Sequence, residues 1–248
     1  MRKNKAGTLA RGALRMVDAG EKSTTTPESP AQVEVASDLW LDARLALVHR
    51  RAGWLAVADV HFGYEVARRA AGGLFPLWGR QSIEERFAAL LADHRPETVI
   101  LVGDIVDSTL SGSDACEWLD SVQASCDRLI LVAGNHDRGE IRRRFSLVES
   151  HLTAEGHFFH HGHQDPVIPD QAVAEVIGHW HPSVSASDGA GLRLRLPSLV
   201  QEPRPGRVRW ILPAFSPWAG GGRWTGSDPA APCRQWVCGP GRVFEWCD

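Results

Sequence analysis

The sequence predicts an α/β fold built on a parallel, helix-flanked sheet whose strands end in residues able to bind metal. Three observations lead there. Val99-Ile100-Leu101-Val102 is an unbroken apolar run, three of its four residues β-branched, that leads into Gly103-Asp104. A strand buried on both faces reads this way. Strand-like and helix-like segments alternate around it, which is the pattern of strand–helix–strand units laid side by side. Several apolar runs then end in Asp, Asn or His, at the carboxyl ends where open sheets place their ligands.

In chain order, Leu39–His49 and Trp54–Ala58 are apolar runs separated by Arg50-Arg51-Ala52-Gly53, a hairpin or two neighbouring strands. The second runs into Asp59-Val60-His61-Phe62-Gly63. Residues Arg68–Arg80 are rich in Gly, Pro and Arg and read as an irregular loop. Ser82-Ile83-Glu84-Glu85 has the form of a capping box, and Ile83, Phe87, Leu90 and Leu91 fall on one face of the helix it would open. Val99–Val102 follows, and Ser113 or Asp114 caps a further helix to about Ala124. Leu129–Ala133 is the next strand, ending in Gly134-Asn135-His136-Asp137. The second half is richer in strand. His157–His160 leads to His161-Gly162-His163, and Val173–Ile177 leads to Gly178-His179-Trp180-His181. Leu192–Leu196 and Arg207–Leu212 are further strands, and Gln235–Cys238 with Arg242–Trp246 suggest a terminal hairpin.

The remaining organisation follows from composition. Residues 1–36, basic and then Ser/Thr/Pro-rich, read as a flexible N-terminal extension; 37–221 form the main domain; 222–248 are a tail packed on it. A chain of 248 residues, 43% hydrophobic and 23% charged, has length for a substantial core. Its net charge of −3 is not that of a protein gripping nucleic acid by bulk charge, although two bound divalent cations would more than offset it locally. No apolar run reaches the length of a membrane span and the basic N-terminus lacks the apolar stretch of a secretory signal. Five cysteines without a paired framework favour a reducing cytoplasm.

Asp59, His61, Asp104, Asn135, His136, His161, His179 and His181 stand at the ends of the apolar runs. Carboxylate and amide oxygens with neutral imidazoles suit Mn, Fe or Zn. Asp59-x-His61 and His179-x-His181 each put two donors on one side of an extended segment. The number of donors fits two ions better than one, and two ions about 3.5–4 Å apart can lower the pKa of a bridging water and clamp attacking and leaving oxygens. That is a design for in-line attack on phosphorus.

Asp-x-His, Gly-Asp-x-x-Asp, Gly-Asn-His-Asp, His-Gly and Gly-His-x-His, in that order between about Trp40 and Gly221, resemble the calcineurin-like metallophosphoesterase superfamily. The resemblance implies two packed β-sheets flanked by helices, with a metal site at the C-terminal ends of the strands. It implies that Asp59, His61, Asp104 and His181 hold one ion. Asp104, Asn135, His161 and His179 would hold the other, with Asp104 shared. His136 would face substrate, binding phosphate oxygens or protonating the leaving group. Asn135, His136 and Arg138 are the candidate substrate contacts, and His136 and Asp104 the candidate catalytic pair. Mn²⁺ is the expected metal, with Fe²⁺ or Zn²⁺ as alternatives.

Ala58–Glu65, Gly134–Arg138, Gly178–Pro182, Leu212–Phe215 and Gly220-Gly221 further resemble the bacterial ligase-associated DNA-damage-response branch. This implies a DNA phosphodiesterase or endonuclease working beside an ATP-dependent DNA ligase, a helicase and an exonuclease. Asp107 stands where that branch often carries His. The other readings are a small-molecule phosphatase or nucleotide pyrophosphohydrolase using the same site, and a scaffold in which metals only staple the fold.

Some neighbouring residues admit two readings. His160 is the alternative to His161 as ligand. Asp107 and Asp137 either orient ligand imidazoles or cap loops. Trp180 reads as packing more than as a base-stacking ring, and Arg142-Arg143-Arg144 as a charged helix face more than a nucleic-acid track. Cys233, Cys238 and Cys247 lack zinc-ribbon spacing.

Overall fold

A computed structural model describes residues 32–187, 190–224, 226 and 231–246. Most of the expected N-terminal extension, and Cys247, lie outside them. The first strand begins inside the stretch assigned to that extension: β1 (Gln32–Ala36) pairs antiparallel with β2 (Leu39–Asp42). β3 (Ala46–His49) and β4 (Trp54–Ala58) continue the meander. α1 (Tyr64–Ala70) and α2 (Gly79–His94) then lead to β5 (Thr98–Val102), and α3 (Gly112–Gln123) to β6 (Arg128–Val132). α4 (Glu140–Arg144) connects to β7 (Leu147–Val148). From β4 to β7 all pairing is parallel, so the first sheet runs in the order β1-β2-β3-β4-β5-β6-β7 and is mixed.

That order dictates the layers. Parallel crossovers are right-handed, and three in succession to the next neighbour in one direction put their helices on a single face. Ile83, Phe87 and Leu90 of α2 and Ala115, Leu119 and Val122 of α3 pack there in the main core. The opposite face receives a second sheet made by the rest of the chain. Its strands are β8 (Ser150–Leu152), β9 (His157–His160), β10 (Ala174–Ile177), β11 (Ser183–Ser187), β12 (Arg193–Arg204), β13 (Arg207–Ile211), β14 (Arg234–Gly239) and β15 (Arg242–Trp246). The order is β15-β14-β12-β13-β10-β9-β8, with β11 paired to β12. The fold is therefore two packed sheets with helices flanking the first, and Phe159, Val176, Leu199, Trp210 and Trp236 of the second share one core with β4, β5 and β6.

The outer face of the second sheet shows why no helix is needed to cover it. Glu175 of β10 lies opposite Arg209 of β13, which lies opposite Glu202 of β12. Arg209 Nε donates to Glu175 Oε2 at 2.7 Å, and Arg204 approaches Glu202 at 3.0 Å. The next residue on each strand, Val176 or Trp210, points to the core. Period-two alternation thus sets a layer of paired charge over an apolar one.

Three expectations shift. α2 starts at Gly79, before Ser82, and its N-cap residue Trp78 makes no side-chain cap, so Ser82 is inside the helix. Part of the expected loop 68–80 is the end of α1. β11, a Ser-rich edge strand, carries too few apolar residues to be read from sequence. Among the described residues no helix is long and apolar enough to cross a membrane.

His157 packs edge-on against Trp54 and His49, and burial holds its imidazole down to about 4 from an ordinary 6.5. A depressed folded value means that the neutral ring contributes stability above pH 6.5, lost as pH falls toward 4. Urea unfolding at about pH 7 and about pH 4.5 is expected to show His157→Leu losing some 2 kcal/mol less across that interval than the native chain.

Candidate metal centre

The candidate ligands all sit where strands of the two sheets end. Asp59 and His61 follow β4, Asp104 follows β5, Asn135 and His136 follow β6, His161 follows β9, and His179 and His181 follow β10. Five of them turn back on left-handed backbone: Asp59 (φ 54°), His61 (φ 45°), Asp104 (φ 46°), His179 (φ 68°) and His181 (φ 45°). For non-glycine residues this region is sparsely populated, and each instance costs about 1–3 kcal/mol. Gly103 (φ 73°) precedes Asp104, and a Cβ on it would collide with the His161 ring. The glycine of the Gly-Asp motif is therefore required twice, by its own conformation and by the imidazole that crosses over it.

Two groups of donors result. In the first, Asp59, His61 and His181 offer ligand atoms within 4.8 Å of one another; in the second, Asp104, His161 and His179 do the same. His181 Nε2 is 3.3 Å from Asp59 Oδ1 and 3.4 Å from His61 Nε2. His161 Nε2 is 3.3 Å from Asp104 Oδ2, whose carboxylate is also 4.0 Å from His61 Nε2. Asp104 therefore stands between the groups. Asn135 Oδ1 and His161 Nε2 are buried without an aligned hydrogen-bond partner. Lone pairs orphaned in this way, in a set of oxygen and imidazole donors with no thiol, fit two divalent cations.

Hydrogen bonds from the backbone aim these groups. His179 N–H donates to both Asp59 oxygens (3.0 and 2.9 Å), tying the end of β10 to the end of β4. His136 N–H donates to Asp104 Oδ1 at 2.9 Å. His161 Nδ1 lies 3.1 Å from Val102 O, so Nδ1–H donates to that carbonyl and Nε2 is left as the ligand atom. Burial opposes ionisation of Asp104, but His161 and the His136 N–H outweigh it and hold the carboxyl well below the usual range. Burial likewise opposes charge on His161 and His181, and the carboxylates of Asp104 and Asp59 reverse it and raise both imidazoles. Cation binding must displace those protons, so affinity rises with pH.

The geometry decides between the open readings. His160 lies on the other face of β9, 3.7 Å from Glu175, while His161 enters the cluster. Asp107 Oδ1 is 3.4 Å from His61 Nδ1, off the hydrogen-bond line, and so stands beside that ring. Asp137 instead caps loops: its buried carboxylate accepts from the N–H groups of Ile105, Val106 and Gly134, binding the turn after β6 to the turn after β5. His136 is not in either group above but forms a third with His61 and Asp107, and its Nδ1–H donates to Asp107 O at 3.0 Å. Arg138 is exposed and no hydrogen bond or ion pair among the described residues joins it to the cluster. Trp180 packs edge-on against His179 and Trp224 on the rim, with 51% of it exposed. In the Arg142–Arg144 run, Arg142 donates to Asp137 O and Arg144 pairs with Asp120. No candidate metal group among the described residues contains a cysteine.

The sequence assigned no role of its own to Glu65, which is buried and accepts from Arg80 N–H and Trp218 Nε1–H. As the second residue of α1, Glu65 reads as an ordinary acid in the first turn of a helix. Arg86 was also passed over, although it falls within the apolar stripe of Ile83, Phe87 and Leu90, where a cation is out of place.

Comparison with known proteins agrees with this geometry. A family profile described as calcineurin-like phosphoesterase matches residues 54–232. The chain belongs to that family, and is thus a metallophosphoesterase, a metal-dependent hydrolase. Among solved structures it is similar to Pseudomonas putida nuclease MPE, at 26% identity and a TM-score of 0.64 over 86% of this chain and 98% of that one. Yfce, a phosphoesterase from E. coli, matches at 17% identity and a TM-score of 0.41 (74% of this chain, 86% of that one). Vps29 complexed with Zn²⁺ from Entamoeba histolytica matches at 15% and 0.40 (77% and 96%). No curated protein matches the chain.

The two aspartates beside the centre are expected to fail differently. Asp107→Ala loses about 10–100-fold in metal affinity at nearly unchanged melting temperature, because only a ligand's orientation is lost. Asp137→Ala strands three buried N–H groups and lowers unfolding free energy by about 3 kcal/mol or more. Mn²⁺ titration beside thermal unfolding separates the two.

Proposed function

We propose that the protein hydrolyses DNA phosphodiester bonds with two divalent cations, Mn²⁺ foremost, held by Asp59, His61, Asp104 and His181 and by Asp104, Asn135, His161 and His179. The observation that carries the DNA reading is the likeness to a nuclease across almost the whole of that chain. The two donor groups meeting at Asp104 support the two-cation part. When bound, the cations supply charge stabilisation at phosphorus and lower the pKa of a water.

The chain's own residues do the rest. Asp104, standing between the two donor groups, would offset part of the charge of both cations. The Asp107 carbonyl accepts a hydrogen bond from His136 Nδ1–H and so sets the ring orientation. With Nδ1–H held by that carbonyl, the proton that Nε2 hands to the leaving oxygen is the second proton of the imidazolium form, and the ring is left neutral. No side chain is phosphorylated. A role in DNA end processing, in the cytoplasm and beside an ATP-dependent ligase, helicase and exonuclease, belongs to the same proposal; the motif resemblance to the ligase-associated branch supports it.

The test is a panel of single-stranded DNA, nicked DNA, a bis-aryl diester and an aryl monoester with Mn²⁺. DNA and diester cleavage are expected, abolished by chelation and restored by Mn²⁺. Turnover of the monoester alone would replace this reading by that of a small-molecule phosphatase. His136→Ala is expected to lower kcat on DNA by about 10²–10⁴ with metal content unchanged.

A further inference from the structure

Beside His181 the surface opens into a cavity of 320 Å³ between α2, the Pro182-Ser183 entry to β11 and the loop 214–221. Its lining carries two guanidinium groups, Arg86 and Arg195, three serines and no carboxylate. The groove on the other side of α2, by contrast, is lined by Glu84 and Glu117 as well as Arg80.

Arg86 is a half-buried residue beside the apolar stripe of α2. Its Nη1 donates to Phe215 O at 2.9 Å, its Nη2 approaches Ser82 Oγ at 3.4 Å, and its guanidinium lies 5.0 Å from the Phe215 ring centre. A guanidinium has five N–H donors, so three are uncommitted. Partial burial lowers its pKa from the ordinary arginine value, and no carboxylate beside it opposes that direction. A half-buried guanidinium with no carboxylate partner is the kind of cation that an anion in the cavity would complement.

Arg195 arrives from the other sheet. Over Arg193–Pro197, β12 pairs with β11 and has left the body of the second sheet, forming a ribbon that starts directly after His181. Arg195 Nη1 donates to Gly220 O and Gly221 O, both at 3.0 Å, which anchors the ribbon over the cavity. Trp78 lines the same cavity and is 45% exposed, offering a ring face to a base. Arginine's planar fork matches phosphate oxygens better than any other side chain.

We infer that this cavity is a second phosphate subsite, where Arg86 and Arg195 hold the phosphodiester flanking the one at the metal centre. It rests on the nuclease reading above and deepens it. The subsite makes the enzyme prefer a polymer over an isolated diester, since only a polymer presents a second phosphate at fixed reach from His181.

The experiment measures kcat/KM on single-stranded DNA and on a bis-aryl diester for the Mn²⁺-loaded native protein, Arg86→Met and Arg195→Gln, each across a salt series. Each variant is expected to lower the DNA-to-diester ratio about tenfold, the value of one charged hydrogen-bonded contact. Each is also expected to flatten the slope of log kcat/KM on DNA against log salt by about 0.7. Equal losses on both substrates, or an unchanged ratio and slope, overturn the subsite. Arg195 is exposed, so its variant decides the matter even if Arg86→Met fails to fold. A native protein that cleaves the diester and no DNA sinks the nuclease reading and the subsite together. A native protein that cleaves DNA, with both variants matching it, sinks the subsite alone.

Discussion

The site depends on one carboxylate held between two groups of imidazoles. Asp104 approaches His161 Nε2 and His61 Nε2 and accepts the His136 N–H. These three partners follow three different strands, one of them in the second sheet. A buried carboxylate in that position is tolerable only while its charge is answered, by protons on the imidazoles or by cations. The rest of the architecture serves to keep that arrangement rigid. Backbone N–H groups aim Asp59 and Asp104, and Asp137 ties the two turns that carry Asp104 and Asn135.

The sheets explain why such strain persists. Left-handed aspartates and histidines at strand ends would relax in isolation. Here β4, and β5 from Val99 onward, are buried between helices and a second sheet, so their carboxyl ends have nowhere to move. Ser216 N–H donates to Asp59 O and Phe215 N–H to Ala58 O, fastening the loop 214–221 across the end of β4. The same loop walls the cavity that holds Arg86. The metal centre and the cationic cavity are thus two sides of a single piece of backbone.

Much of this was legible because buried strands leave strong local marks. Val99–Val102 and Trp54–Ala58 announce themselves as apolar runs, and the polar residues that follow are conspicuous after them. The helix boundaries were less legible. Ser82-Ile83-Glu84-Glu85 imitates a start signal, yet packing of Ile83 and Phe87 extends α2 back to Gly79, where Glu65 accepts the free N–H of Arg80. The ribbon strand β11 was silent because three of its five residues are serines and only Val184 is a large apolar residue.

The sequence by itself determined which residue types end the strands, their order, and hence the chemistry of oxygen and imidazole donors around a shared acid. Tertiary structure alone decided which neighbour does what. His160 and His161 are adjacent and chemically identical, and only the packing of β9 between a core face and a charged outer face sends one to Glu175 and the other to Asp104. Asp107 and Asp137 are equally plausible partners of a ligand ring until the fold places one beside His61 and the other under three N–H groups. Arg86 is a misplaced charge in a helix stripe until a loop more than a hundred residues later walls a cavity around it. Local pattern encodes which face and which turn a residue belongs to. Contact across the gap between two sheets is a property of the assembled layers, and no spacing along the chain carries it.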